Sequence, residues 1–249
     1  MIPIETQLTR GNLPQPRRIG CQDVWNASLV QGAEFSPHDI PICPTYLPHG
    51  LPKRLISFPR AQTLYNAEMK AGHKDFYCDA FIHFYCDDHL FDGPRNSIWL
   101  YPERVFQLLK HFAGIITPDY STYADFPDPI KRYNTYRMRA FGYACYKEGH
   151  SVINNIRWGT DETWSYCYDG AFKGSVVCIG TVASGLRDLD NRNDFNAGFQ
   201  QMCSVLEPKT ILVYGSVKYE AFQLAEKNGI HIMAFPSETN IAYQKGGSS

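Results

Sequence analysis

The chain has 249 residues, 44% of them hydrophobic and 20% charged, with a net charge of −1. That is ordinary globular composition, long enough to bury a large core as one α/β unit, and it excludes a sequence-independent nucleic-acid coat, which needs a broad basic stripe. No apolar run approaches the roughly 20 residues that span a bilayer, so no membrane partner is expected.

The 16 Tyr and 15 Phe are read first as core, with stacking on bases or sugars as their sharper use. The eight cysteines are dispersed and form no C-x-x-C pair. The opening residues lack the charged head and apolar run of a signal peptide, so free thiols in a reducing cytoplasm are expected.

Residues 1–52 carry prolines that interrupt every would-be helix, interleaved with Val24, Trp25, Leu29, Phe35, Ile40 and Tyr46. They read as an arm packed on the single α/β domain of residues 53–245, with a flexible tail at 246–249. From residue 53 short apolar runs alternate with helical patterns. Arg54–Phe58 is followed by a helix over Ala61–Lys70 and a stop at Gly72. Phe81–Tyr85 precedes a helix over Pro102–Phe112, and Gly114–Thr117 precedes a helix capped by Asp128 that runs to Gly149. Val152–Ile156 and Ser175–Ile179 are the next strands. A helix over Asp194–Leu206, a strand over Ile211–Tyr214, a helix over Lys218–Lys227 and a strand over Ile230–Ala234 complete the series.

About seven strands alternating with helices imply parallel pairing and right-handed crossovers. The architecture is read as a TIM-like, incomplete β/α barrel, with an open parallel sheet carrying helices on both faces as the alternative. A short eighth strand has room to hide in the arm.

Both architectures bind ligands beyond the carboxyl ends of the strands. Asp87 and Asp88 follow the second strand; Asp119, Tyr120 and Ser121 follow the third. Asn155, Arg157 and Trp158 end the fourth, and Thr181 ends the fifth. Adjacent acids need a cation or a shared proton. Asp87, Asp88 and Asp119 are therefore the candidate ligands of a divalent ion, Mg²⁺ or Mn²⁺, with Arg157 set to pair with a phosphate. Helix capping and loop solvation are the competing uses of the same residues.

Other signals are weaker. His83, Cys86 and His89 have metal-triad spacing, but a packed histidine and a buried thiol are the expected reading. The basic stretch Lys131, Arg132, Arg137 and Arg139 reads as a solvated helix face. Glu238 is a possible partner for Asp119 in a sugar-processing barrel. No GxxxxGK[ST], GxGxxG or Gly-x-Ser-x-Gly motif occurs, and the TVASG run at Thr181–Gly185 is only a weak anion loop.

Phe84–Asp88 reads FYCDD and Ser165–Gly170 reads SYCYDG. With Leu55–Pro59, these resemble a domain-of-unknown-function family of phage, mobile-element and bacterial proteins whose motifs run approximately FDDY and SYSxFDG. Ser165, Tyr166, Asp169 and Gly170 coincide with the second motif, while Tyr168 stands where phenylalanine is usual. In the first, the aspartate is doubled and His89 stands at an aromatic position. The resemblance implies an origin near mobile elements and transfers no activity. It draws Asp169 into the candidate set, with an Asp-Gly turn as its plainer use.

The leading expectation is a metal-dependent hydrolase acting on a nucleic-acid strand or nucleotide. Asp88, Asp119, Arg157 and Asp169 would be catalytic, and Tyr120, Ser121, Asn155, Trp158, Ser165 and Thr181 would contact substrate. The alternatives are a non-catalytic protein binding a host or viral partner, and the sugar-processing barrel.

Overall fold

The computed structural model describes residues 23–182, 185, 186 and 188–238. The first 22 residues of the arm, Ser184 of the TVASG run and the tail lie outside them. Seven strands and six helices are described in chain order. They are β1 (Leu55–Ser57), α1 (Phe58–Lys70), β2 (Cys78–His83), α2 (His89–Asp92), α3 (Pro102–Leu109), β3 (Phe112–Ile116) and α4 (Asp128–Lys147). There follow β4 (Val152–Asn155), a 3₁₀ turn at Asp161–Thr163, β5 (Val176–Gly180), α5 (Leu189–Leu206), β6 (Thr210–Tyr214), α6 (Glu220–Lys227) and β7 (His231–Phe235).

The strands form one all-parallel sheet in sequential order, curled into a half-barrel. Sequential order with right-handed crossovers sends the helices to a single face. Strand alternation then sorts the core. Ile211 and Val213 of β6 pack with Phe195, Phe199 and Met202 of α5, whereas Leu212 and Tyr214 join Ile116, Ile153 and Cys178 on the other face. Each such buried side chain contributes about 1.5–3 kcal/mol.

β1 and β7 are the edges of the sheet. Beyond their carboxyl ends Glu238 accepts a hydrogen bond from Ser57 Oγ at 2.9 Å and meets Arg60 at 3.5 Å, which brings the two edges together at the rim. The described part of the arm supplies isolated bridges and no eighth strand. Phe35 bridges Pro41, and Tyr46 exchanges two backbone bonds with Val152 at the amino end of β4.

Most element boundaries shift by a few residues from expectation, and three of the shifts have a plain local cause. α3 stops at Leu109 because β3 takes up Phe112, which is buried against the sheet. Asp128 is the first residue of α4 and not its cap; its carboxylate accepts from Tyr166 instead. α5 begins five residues early, at Leu189, because Asp188 caps it by accepting from the Asn191 amide.

The basic stretch of α4 is not a solvated face. Lys131 and Arg139 are buried, the first donating to the Ala124 carbonyl and the second to the carbonyls of Asn155, Cys167 and Asp169. Arg137 pairs with Asp92 and lies over the Tyr120 ring at 3.7 Å. Only Arg132 keeps the expected partly exposed setting.

Candidate functional site

A cleft of about 310 Å³ opens at the carboxyl ends of β3, β4 and β5. Asp119, Thr122 and Tyr123 supply one wall, residues 156–160 a second, and Ile179, Gly180 and Val182 the floor beside β5. The first turns of α5, through Asn191, Asp194 and Phe195, close it.

Its chemical centre is an ion pair. Arg157 donates to Asp119 Oδ2 at 2.6 Å, and Asn155 donates to the other oxygen at 2.8 Å. The two residues face each other because β3 and β4 are parallel neighbours whose chain continues a few residues past the sheet. Burial raises the Asp119 pKa, Arg157 and Asn155 pull it back, and nearby Asp88 adds to the rise. Burial alone would lower the Arg157 pKa, but Asp119 and Asp88 outweigh it and raise the value. The guanidinium side chain keeps 28% exposure, against 12% for its carboxylate partner. The pair thus holds one largely buried carboxylate and one cation whose outer face reaches the cleft.

Asn155 belongs to a longer bracket. Tyr85, just past β2, crosses the mouth of the half-barrel and donates to Asn155 Oδ1 at 3.0 Å. Its ring stacks on Tyr214 at 5.3 Å and lies so close to Gly180 that a Cβ there would collide with it. Asp88 reaches the same rim from the next loop and accepts from the amide and hydroxyl of Ser121 at 3.1 and 2.9 Å.

The remaining sequence candidates separate clearly. Trp158 lines the cleft, backed by α5 at Gly198 and by the Phe195 ring. Tyr120 is fully buried against Phe91 and under Arg137, so it presents no stacking face. Thr181 is turned to the Ser216 carbonyl. Ser165 is exposed and does not line the cleft. Asp169 does not join the rim either: its carboxylate meets His38 of the arm at 2.9 Å. Asp87 is exposed at the rim.

The half-buried Cys86 thiol is pushed up to about 12, by burial first and then by the charges of Asp119, Asp87, Asp88 and Glu238. Among the described residues no three His, Cys, Asp or Glu side chains are grouped so as to hold a metal ion. An ion on Asp88 and Asp119 would have to displace their bonds to Ser121, Asn155 and Arg157. His83 packs against Tyr85 and Tyr214 and His89 is exposed on α2, away from any triad. The seven described cysteines are free thiols. No described helix is long and apolar enough to cross a membrane.

Sequence reasoning missed Thr122, Tyr123 and Asp194 as cleft walls. The first two lie in the polar stretch after Asp119, but Asp194 sits on a helix, where only its place near the α5 amino terminus hinted at the strand ends.

The chain is 30% identical over 138 residues to the Gene 1 protein of Mycobacterium phage D29 and to the Gene 1 protein of Mycobacterium phage L5. The match covers 55% of this chain and 49% and 58% of those proteins. The chain therefore spans about half the length of the curated relatives it matches. No solved structure matches it. Residues 37–236, which contain all seven strands and the whole cleft, match the domain of unknown function DUF4417. The chain belongs to the DUF4417 family.

Proposed function

We propose that the chain is a hydrolase of phosphate-bearing substrates that works in the cleft beyond β3, β4 and β5. The observation that carries this reading is the Asp119–Arg157 pair in the cleft wall. Arg157 has donors beyond the one it gives to Asp119, and a guanidinium fork suits phosphate oxygens. Asp119 is a buried carboxylate with a raised pKa, the property of a group that takes up and returns a proton. In this reading water attacks phosphorus and gives its proton to Asp119. The ester P–O bond breaks, and the proton passes to the leaving oxygen. Trp158 and Tyr123 supply aromatic walls for the rest of the substrate.

A second form of the reading adds a divalent ion, Mg²⁺ or Mn²⁺, at Asp88 and Asp119. It is favoured by the negative charge that Asp119, Asp87, Asp88 and Glu238 together bring to bear on this part of the rim, felt at the Cys86 thiol.

Hydrolysis of nitrophenyl phosphate mono- and diesters, with thermal unfolding of the same samples, tests both forms. Asp119→Asn is expected to lower turnover by about 10²–10⁴-fold, the usual worth of an acid–base group, with the unfolding midpoint kept within a few degrees. Retained turnover in a folded Asp119→Asn protein ends the assignment. Loss of wild-type turnover in EDTA, restored by Mg²⁺ or Mn²⁺, selects the metal form; turnover indifferent to EDTA selects the metal-free one.

A further inference from the structure

We infer that the cleft takes a small phosphate monoester, one phosphoryl group joined to a ring-bearing body such as a sugar or nucleoside, and not a nucleic-acid strand. This rests on the phosphate reading of Arg157 above and narrows its substrate class.

Three observations carry it. First, the space is about 310 Å³, at the lower end of the roughly 300–1,000 Å³ typical of small-molecule sites. It is bounded on the far side by α5, so a chain entering past Arg157 meets Asn191 and Asp194.

Second, the polar groups suit one phosphoryl group. Among the described lining residues Arg157 is the one cation. Thr122 and Thr160 flank it from neighbouring loops, which touch where the Thr122 carbonyl lies 3.0 Å from the place a Gly159 Cβ would occupy. The hydroxyls of both threonines are buried and have no hydrogen-bond partner among the described residues. A buried hydroxyl without a partner is costly, so a bound anion that accepts from it restores what folding leaves open. The amino terminus of α5 is no second phosphate seat, because the Asp188 carboxylate already accepts from the Asn191 amide there.

Third, the surroundings are acidic. Asp194 lines the cleft, and exposed Asp125, Asp161, Glu162, Asp188 and Asp190 stand on the segments that form its walls, against one further described cation on the α5 wall, half-buried Arg192, whose Nε donates to the Leu186 carbonyl. A strand would carry its further phosphates past these carboxylates with no described lining cation beyond Arg157 to offset them. Polyanion binding depends on such cations. A single monoester ends before it reaches them.

The test is calorimetric titration of the full chain at one fixed salt concentration. The probes are inorganic phosphate, ribose 5-phosphate, adenosine 5′-monophosphate, adenosine and a 5′-phosphorylated single-stranded 12-mer. The monophosphates are expected to bind at least about tenfold tighter than adenosine, and the 12-mer no tighter than the monophosphates. Arg157→Gln is expected to abolish binding. Thr122→Val is expected to weaken it by about 3–10-fold, on the order of one lost hydrogen bond. If Thr122→Val fails to fold, Thr160→Val reads the same subsite. A 12-mer that binds tenfold tighter than the monophosphates overturns the inference and leaves the hydrolase reading standing. Silence from every phosphate compound overturns both. Wild-type affinity in the folded threonine variants removes the subsite.

Discussion

The two segments that carry the family resemblance, Phe84–Asp88 and Ser165–Gly170, have the same kinds of residue and opposite surroundings. In the first, Tyr85 spans the mouth of the half-barrel to Asn155 and Asp88 ties down Ser121, so its polar groups shape the rim around Asp119. In the second, exposed Ser165 aside, the polar side chains turn to other parts of the fold. Tyr166 donates to Asp128 of α4, Tyr168 to the Gly198 carbonyl of α5, and the Asp169 carboxylate meets His38 of the arm. Gly170 has φ +79°, and a Cβ there would run into the Pro41 carbonyl and the Arg139 side chain. Likeness in residue type therefore does not by itself place a segment at the cleft. What separates the two is whether the side chains end at a cleft or at another piece of backbone.

The largest effect that can break this contrast comes from Arg139. It is fully buried, and its three bonds go to the carbonyls of Asn155, Cys167 and Asp169 at 2.8, 3.3 and 2.9 Å. Arg139→Met keeps most of the side-chain volume and removes all three donors. Each carbonyl left buried and unpaired costs about 1–3 kcal/mol, so a loss of about 3 kcal/mol or more is expected in urea unfolding. For a chain of this size that lowers the melting midpoint by roughly 6–12 °C. Asp119→Asn at the rim is expected to leave the midpoint within a few degrees. An Arg139→Met protein as stable as wild type removes the structural role of the second segment.

The contrast was half legible beforehand. Strand–helix alternation could be read because buried parallel strands are apolar runs and the helices keep their own period, as in Val105, Leu108 and Leu109 of α3. The Asp119–Arg157 pair was legible in part for the same reason. Both residues follow adjacent parallel strands, and such strand ends lie together. The fate of Asp169 was not legible. Its partner His38 is 131 residues away in a proline-rich arm that carries no period to predict its path. Arg139 was misread because four basic residues on one helix look solvated until the carbonyls that hold them are known. The amino end of α5 was hidden in the largely polar run 188–194, broken only by Leu189, where the Asp188 cap is not distinguished from its neighbours by pattern.

An intermediate effect sharpens the rim side. His83 ends β2, one residue before the first segment, and is 1% exposed. Its Nδ1 accepts from the Tyr85 amide at 3.2 Å, which leaves the proton on Nε2, where no partner is described. Burial lowers its pKa from 6.5 to about 3. Between those values the unfolded chain holds a proton on this ring and the folded chain does not. Stability from this group is therefore complete above pH 6.5 and is lost as pH falls toward 3. The slope is up to about 1.4 kcal/mol per pH unit. Urea unfolding at pH 4.5, 5.5 and 6.5 is expected to give a shallower pH dependence for His83→Gln than for wild type. Equal slopes would mean that a neutral His83 is no part of the rim.

The smallest effect separates the side chain of Asp169 from its backbone. The His38–Asp169 pair is 2.9 Å long, but its side chains are 37% and 24% exposed, so solvent screens it. His38→Ala and Asp169→Asn are each expected to cost under about 1 kcal/mol, and the double variant no more than the larger single one if the pair is their shared interaction. The Asp169 carbonyl that Arg139 holds is untouched by either change, which is why these substitutions are expected to fall far short of Arg139→Met. Binding of phosphate compounds in the cleft is expected to be unchanged in both. If a folded Asp169→Asn protein lost that binding while His38→Ala kept it, the carboxylate would act at the rim after all. The two segments would then share one function across the fold.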